Sequence, residues 1–76
     1  MEDLLAWIAR GLVDEPDAVR VERIDEDDVV VLRLHVAEGD IGKVIGRHGR
    51  VARALRTVVR SAGIRSDRRL LLEIAD

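Results

Sequence analysis

Hydrophobic residues change their spacing several times along this chain, and each change marks an element. Leu4, Leu5, Ile8 and Leu12 recur at three- and four-residue intervals, which places them on one face of an amphipathic helix over residues 3–13. Pro16 stops it, because proline lacks the N–H that a helix interior needs. The period then falls to two. Val19 and Val21 alternate with Arg20 and Glu22, and Val30, Leu32, Leu34 and Val36 alternate with Val31, Arg33 and His35, the register of two strands with one buried face. The acidic run Asp25-Glu26-Asp27-Asp28 between them reads as the turn of a hairpin; it lacks the spaced ligands and the glycine of a calcium loop.

Helical spacing returns after Val36. Ile41, Val44 and Ile45 fit a short helix ending at Gly46, and Asp40 stands where a side chain caps the free N–H groups at its start. A longer helix is expected from about His48 to Ala62, with Val51, Leu55, Val58, Val59 and Ala62 on one stripe, Arg53, Arg56 and Arg60 on the other, and Gly63 as its stop. Leu70, Leu72 and Ile74 then alternate with Leu71 and Glu73 as a third strand, leaving Leu71, Val29 and Val31 on the sheet face away from the helices. The order is α-β-β-α-α-β, an α+β class.

Seventy-six residues allow one domain, residues 1–76, whose core supports roughly 3–5 kcal/mol. With 47% hydrophobic and 37% charged residues the chain is neither disordered nor membrane-spanning, since a span needs about 20 apolar residues in a row. The absence of cysteine excludes disulfides and thiolate metal sites. Met1 leads into charged residues rather than the apolar run of a signal peptide, so a cytoplasmic location is expected.

The net charge of -2 hides a steep asymmetry. Residues 1–42 carry four arginines against twelve carboxylates, a balance of -8. Residues 43–69 carry nine basic residues against Asp67 alone, a balance of +8. Charges further apart than a Debye length of about 8 Å are screened from one another, so a basic surface on an acidic protein still attracts a polyanion.

The border between the two segments is chemically distinctive. Ile41-Gly42-Lys43-Val44-Ile45-Gly46-Arg47-His48-Gly49-Arg50 joins two helices through a turn bounded by glycines. Gly46 and Gly49 allow positive φ and bear no side chain to keep a ligand backbone away, so a phosphate can approach the main chain. Gly49 also opens the longer helix, whose free N–H groups and dipole favour an anion. Lys43, Arg47 and Arg50 add positive charge at the same point, and guanidinium pairs bidentately with phosphate. A G-x-x-G alone serves equally as a helix end and a tight turn; its place between two helices, after a hairpin and at the charge border, gives it meaning.

The run Ile41-Gly42-Lys43-Val44-Ile45-Gly46-Arg47-His48-Gly49, followed by Val51 and Leu55-Arg56, resembles the KH signature I-G-x-x-I-G-x-x-G. The element order is similar to the type II KH fold, which implies a three-stranded mixed sheet with the helices packed on one face. More narrowly, the chain resembles the small bacterial single-KH proteins of the KhpA (YlqC-type) family, sharing the opening helix, the Leu12-Val13-Asp14-Glu15-Pro16-Asp17 break and the ending near Ile74. The resemblance implies binding of single-stranded RNA, with about four nucleotides held by the glycine loop and an adjacent aliphatic groove. It also implies an RNA chaperone that forms homodimers and acts with a larger KH-containing partner, KhpB, in post-transcriptional control of cell elongation, cell shape and envelope synthesis. One departure is the pair Arg47-His48, where lysine followed by glutamine is commoner in relatives.

These readings assign Arg47, His48, Gly46, Gly49, Lys43, Arg50 and Arg53 to the RNA backbone and Ile41, Val44, Ile45, Val51 and Leu34 or Val36 to the base groove. With one tryptophan and no Phe or Tyr, the chain lacks the aromatic platforms that contribute roughly 1–3 kcal/mol per stacked base, so weak, loosely selective binding is expected. Trp7 reads as an edge-of-core or interface residue. Two isolated histidines, two serines and no cysteine make no nucleophile–base pair or metal cage, so no enzyme, cofactor or small-molecule substrate is expected. The competing class is a KH module whose main task is to bind another protein.

Overall fold

The strand at the centre of the sheet, β2 (Val29–His35), turns Val30, Leu32 and Leu34 into the core with no exposed surface at all. These aliphatics hold two neighbours. β1 (Arg20–Glu26) pairs antiparallel with β2, from Arg20 opposite His35 to Glu26 opposite Val29. β3 (Arg69–Ile74) pairs parallel on the other side, from Val29 opposite Arg69 to Leu34 opposite Ile74. The sheet is therefore mixed, in the order β1-β2-β3, as the type II arrangement requires. In this computed structural model, which describes residues 1–75, three α-helices complete the α-β-β-α-α-β order: α1 (Glu2–Leu12), α2 (Ile41–Ile45) and α3 (Arg50–Arg65), with single 3₁₀ turns at Pro16–Ala18, Glu38–Asp40 and Arg47–Gly49. A parallel pair needs a long crossover, and α2 and α3 supply it between β2 and β3.

The core is filled by Leu5 and Ala9 from α1, Val44 from α2, and Leu55 and Val59 from α3 against the β2 row. Three details depart from the sequence expectation. α1 presents Leu5, Ala6 and Ala9 to the sheet, while Leu4 and Leu12 stay 47% and 38% exposed. Alanines let the helix backbone come close, and a count of large residues overlooks them.

The hairpin turn is shorter than the acidic run. β1 continues through Asp25 and Glu26, leaving Asp27-Asp28 as a two-residue connection. β1 is an edge strand whose outward positions are solvated, so acidic residues fit there, and Asp25 pairs with Arg23 at 3.3 Å and Arg68 at 3.6 Å.

Gly63 does not stop α3. The helix runs on to Arg65, and the left-handed residue after it is Asp67, with φ 56°. Gly63 is buried for another reason: a Cβ there would lie 2.5 Å from the Arg68 carbonyl oxygen and 2.9 Å from the Leu70 amide nitrogen. The missing side chain lets the chain turn back into β3 directly over the helix.

Gly63→Ala is therefore expected to destabilise by about 1–3 kcal/mol, the usual range for overpacking against atoms that cannot yield. Gly11→Ala, in α1 with nothing within 4 Å of the added methyl, should stabilise by roughly 0.5–1 kcal/mol. Urea unfolding of the two variants measures both signs.

Candidate nucleic-acid interface

α2 is only five residues long, too short to persist by its own hydrogen bonds. Two anchors hold it. Val44 is completely buried in the core, and Asp40, immediately before the helix, is 2% exposed. Asp40 was expected to cap α2, but no side chain caps that helix. Its Oδ2 instead accepts the Glu15 N–H at 3.0 Å, tying α2 to the segment after α1. Its Oδ1 lies 3.5 Å from Lys43 Nζ, which also reaches Asp14 at 3.2 Å. Burial pushes the Asp40 carboxyl up, but the backbone N–H groups of Glu15 and Asp14 and the Lys43 charge outweigh it, leaving the group below its usual range.

The loop leaves α2 at Gly46, with φ 76°, and turns through His48 (φ 57°, ψ 25°) and Gly49 (φ 73°, ψ 15°) into α3. Three of these four residues thus take positive φ, including a non-glycine at 48, where histidine is among the residues that tolerate it. The Gly49 N–H donates to the Gly46 carbonyl at 3.1 Å, closing the turn. A Cβ on Gly46 would clash with Val51 Cγ2 and lie 2.9 Å from the Val51 nitrogen, whereas Gly49 faces open space. Arg53, one turn into α3, donates from its guanidinium to the His48 carbonyl at 3.2 Å and braces the loop from below.

α3 starts at Gly49 as N-cap, with no side-chain cap and no acidic residue in its first turn. Arg47 and Arg50 stand exposed on either side of that start. Among the described residues, Arg47, Arg50, Arg53, Arg56 and Arg60 have no carboxylate within ion-pair distance, while Arg23, Arg33, Lys43 and Arg68 all do.

The structure thus brings Gly46, Arg47, His48, Gly49, Arg50 and Arg53 together around one helix start. Ile41 is half-buried, Ile45 is 38% exposed and Val51 is half-buried; Ile41 and Val36 also line an open pocket of about 490 Å³ with His35 and Ala75. Two expected groove residues, Val44 and Leu34, are fully enclosed and offer no surface to a ligand. Lys43 is turned to Asp14 and Asp40, so its charge is taken up within the protein. The brace from Arg53 and the anchor at Asp40 were not apparent from the motif. The only sequence signal for the latter is the i, i+3 spacing of Asp40 and Lys43, which brings their side chains within reach.

The KhpA/KhpB, KH domain family matches residues 2–74. The chain belongs to that family. The RNA-binding protein KhpA of Treponema pallidum is 49% identical over 75 residues, covering 99% of this chain and 94% of its own length. KhpA proteins of Bacillus subtilis and Clostridium acetobutylicum are 47% and 45% identical over 100% and 97% of the chain, and 94% and 99% of their own lengths. A crystal structure of Era from Aquifex aeolicus shares the fold, with a TM-score of 0.60 over 96% of this chain and 28% of that one at 16% identity. For this KhpA/KhpB domain the match spans the anchored α2, the glycine loop and the whole of α3.

Two outcomes follow from this geometry. Because the Asp40 carboxyl titrates lower in the folded chain than in the unfolded one, its contribution to stability is complete above about pH 4 and is lost as pH falls further. Asp40→Asn should flatten that part of the acid limb when urea midpoints are measured between pH 2 and 6. Gly49→Ala should cost about 1–2 kcal/mol for its left-handed backbone, and Gly46→Ala should add a further ~1–3 kcal/mol through the Val51 clash, an order that thermal melts can check.

Proposed function

We propose that this chain binds single-stranded RNA, with the sugar-phosphate backbone held at Gly46-Arg47-His48-Gly49 and the bases lying on the aliphatic surface beside α2. The observation that carries the reading is the start of α3: a loop bent by positive φ, a helix end with no side-chain cap, and arginines at 47 and 50 outside any ion pair among the described residues. A phosphate placed there meets backbone N–H groups, the positive end of the helix dipole and two guanidinium groups. Relatives at 45–49% identity over nearly their whole lengths are named RNA-binding proteins, which supports the class of ligand. Ile41, Ile45 and Val51 retain exposed surface for base contact.

With no aromatic platform near the loop, the grip rests on charge and aliphatic contact. Such a hold is easily released, which suits an RNA chaperone in the cytoplasm that works with a KhpB-type partner on messages for cell elongation and envelope synthesis. None of this requires a catalytic residue or a cofactor. The homodimer of this reading finds support in the groove between α1 and α3, where Ile8 and Leu12 face Ala54 and Val58. Trp7, 71% exposed beside this groove, belongs to the surface and not to the edge of the core. The same groove favours the second reading, a KH module whose main role is to pair with another protein.

Arg47→Asp/His48→Asp separates the two. Both side chains are exposed, aspartate tolerates the left-handed backbone at 48, and an acid beside a helix start is favourable, so the fold should persist. Affinity for a single-stranded RNA oligonucleotide in a filter-binding assay should fall by more than tenfold, with the circular dichroism spectrum unchanged. Undiminished affinity would overturn the loop assignment.

A further inference from the structure

The basic surface of α3 continues well past the glycine loop. Arg53, Arg56 and Arg60 recur at three- and four-residue intervals and so form one row along the helix. The row begins at Arg53, bonded to the loop carbonyl of His48, and ends at Arg60, which opens onto a cleft of about 610 Å³ between the C-terminal half of α3 and the start of β3. Arg68 and Arg69 line the same cleft, and Asp67 is the one carboxylate among its lining residues. Arg68 is partly engaged by Asp25 at 3.6 Å; Arg60 and Arg69 have no ion-pair partner among the described residues. Two apolar side chains line the cleft with them, Ile64 at 76% and Leu71 at 40% exposed.

We infer that this cleft is a second phosphate-binding segment for the same RNA strand, with Arg60 and Arg69 holding phosphates and Ile64 and Leu71 offering contact to sugars and bases. The inference rests on the loop reading above and extends it. A solvated basic helix face is common, but this one opens onto a cleft lined by guanidinium and exposed aliphatic groups together, and Arg60 and Arg69 stay without an ion pair among the described residues while Arg23 and Arg33 of the sheet are each held by carboxylates. The distance fits as well. Arg60 stands eleven positions after Gly49, which at ~1.5 Å per helical residue is about 17 Å, or about five nucleotides at the ~3.4 Å rise of one strand in a duplex. That lies beyond the four nucleotides a KH loop clamps.

The test compares Arg60→Gln/Arg69→Gln with the unaltered chain on two oligouridylates, one of four and one of twelve nucleotides. Both side chains are exposed and outside the core and the ion pairs, so the variant should fold, as circular dichroism checks. The twelve-nucleotide strand should bind about five- to tenfold more weakly, and the slope of log affinity against log salt should shrink by about 1.4, near 0.7 for each lost phosphate contact on a single strand. The four-nucleotide strand should bind within twofold of the original. An unchanged affinity and slope for the longer strand, or an equal loss on both strands, would overturn the second segment. Arg47→Asp/His48→Asp, run alongside, should weaken both strands; if it weakens neither, the loop reading fails, whereas failure of the second segment alone leaves that reading standing.

Discussion

An isolated helix shorter than about 12–15 residues is marginal in water, so a five-residue helix exists only where its surroundings hold it. Asp40 does this for α2. Its buried carboxylate joins the Glu15 N–H to the Lys43 ammonium and so fastens the segment before α2 to the chain leaving α1, while Val44 drives the helix into the core. The position of the glycine loop depends on that fixture, because the loop is the continuation of α2. Gly46 then packs against Val51, and Arg53 holds the His48 carbonyl, so the loop is tied at its start and its middle to α3. The result is a turn of unusual backbone geometry whose outer surface carries Arg47, His48 and the start of a helix.

Much of this was legible from spacing. Period-two alternation placed β2 and β3 and identified the buried set Val30, Leu32 and Leu34, because a half-buried strand must alternate. The glycine pair and the sign change in charge located the loop. What escaped the sequence depends on contacts between distant residues. Asp40 stands where a helix cap belongs, and nothing local reveals that its partner lies 25 residues earlier at Glu15. Gly63 follows a helical stripe and so resembles a stop, yet it is glycine because Arg68 and Leu70 cross over it. Lys43 and Val44 belong to the signature by position, but a helix has several faces: one of these side chains turns to Asp14 and the other to the core. A motif fixes which residues are near the site, whereas the packing of α2 decides which of them reach its surface.

Charge is distributed in space more sharply than along the chain. Arg33 lies 2.7 Å from Glu73 and 3.6 Å from Glu22, Arg23 lies between Glu2 and Asp25, and Lys43 between Asp14 and Asp40. Exposed pairs of this kind contribute little to stability, ~0–1 kcal/mol each. Their larger effect is to offset Arg23, Arg33 and Lys43 as sources of field. The arginines of the loop and α3 lack such partners among the described residues, and six of them follow one another between positions 47 and 65, so positive charge is dense along that helix. With extents of 34 × 23 × 19 Å, opposite sides of the molecule lie beyond the ~8 Å Debye length, and the net charge of -2 says little about what that helix attracts.

On the proposed reading, the way this surface would gain affinity follows from what it lacks. The one tryptophan of the chain, Trp7, sits on α1, and apart from His48 the large side chains near the loop are aliphatic or guanidinium. Aliphatic groups cover a base without the stacking that discriminates or strengthens, while each arginine answers to a phosphate that every nucleotide carries. Affinity on such a surface grows with the number of phosphates within reach more than with the identity of the bases. If the loop clamps four nucleotides, as proposed, its ceiling is low, and two routes would raise it: a longer row of arginines on the same chain, or a second domain bound to the same strand at high effective concentration. The row from Arg53 to Arg60 would open the first route within one copy, and would do so without fixing which sequence is held.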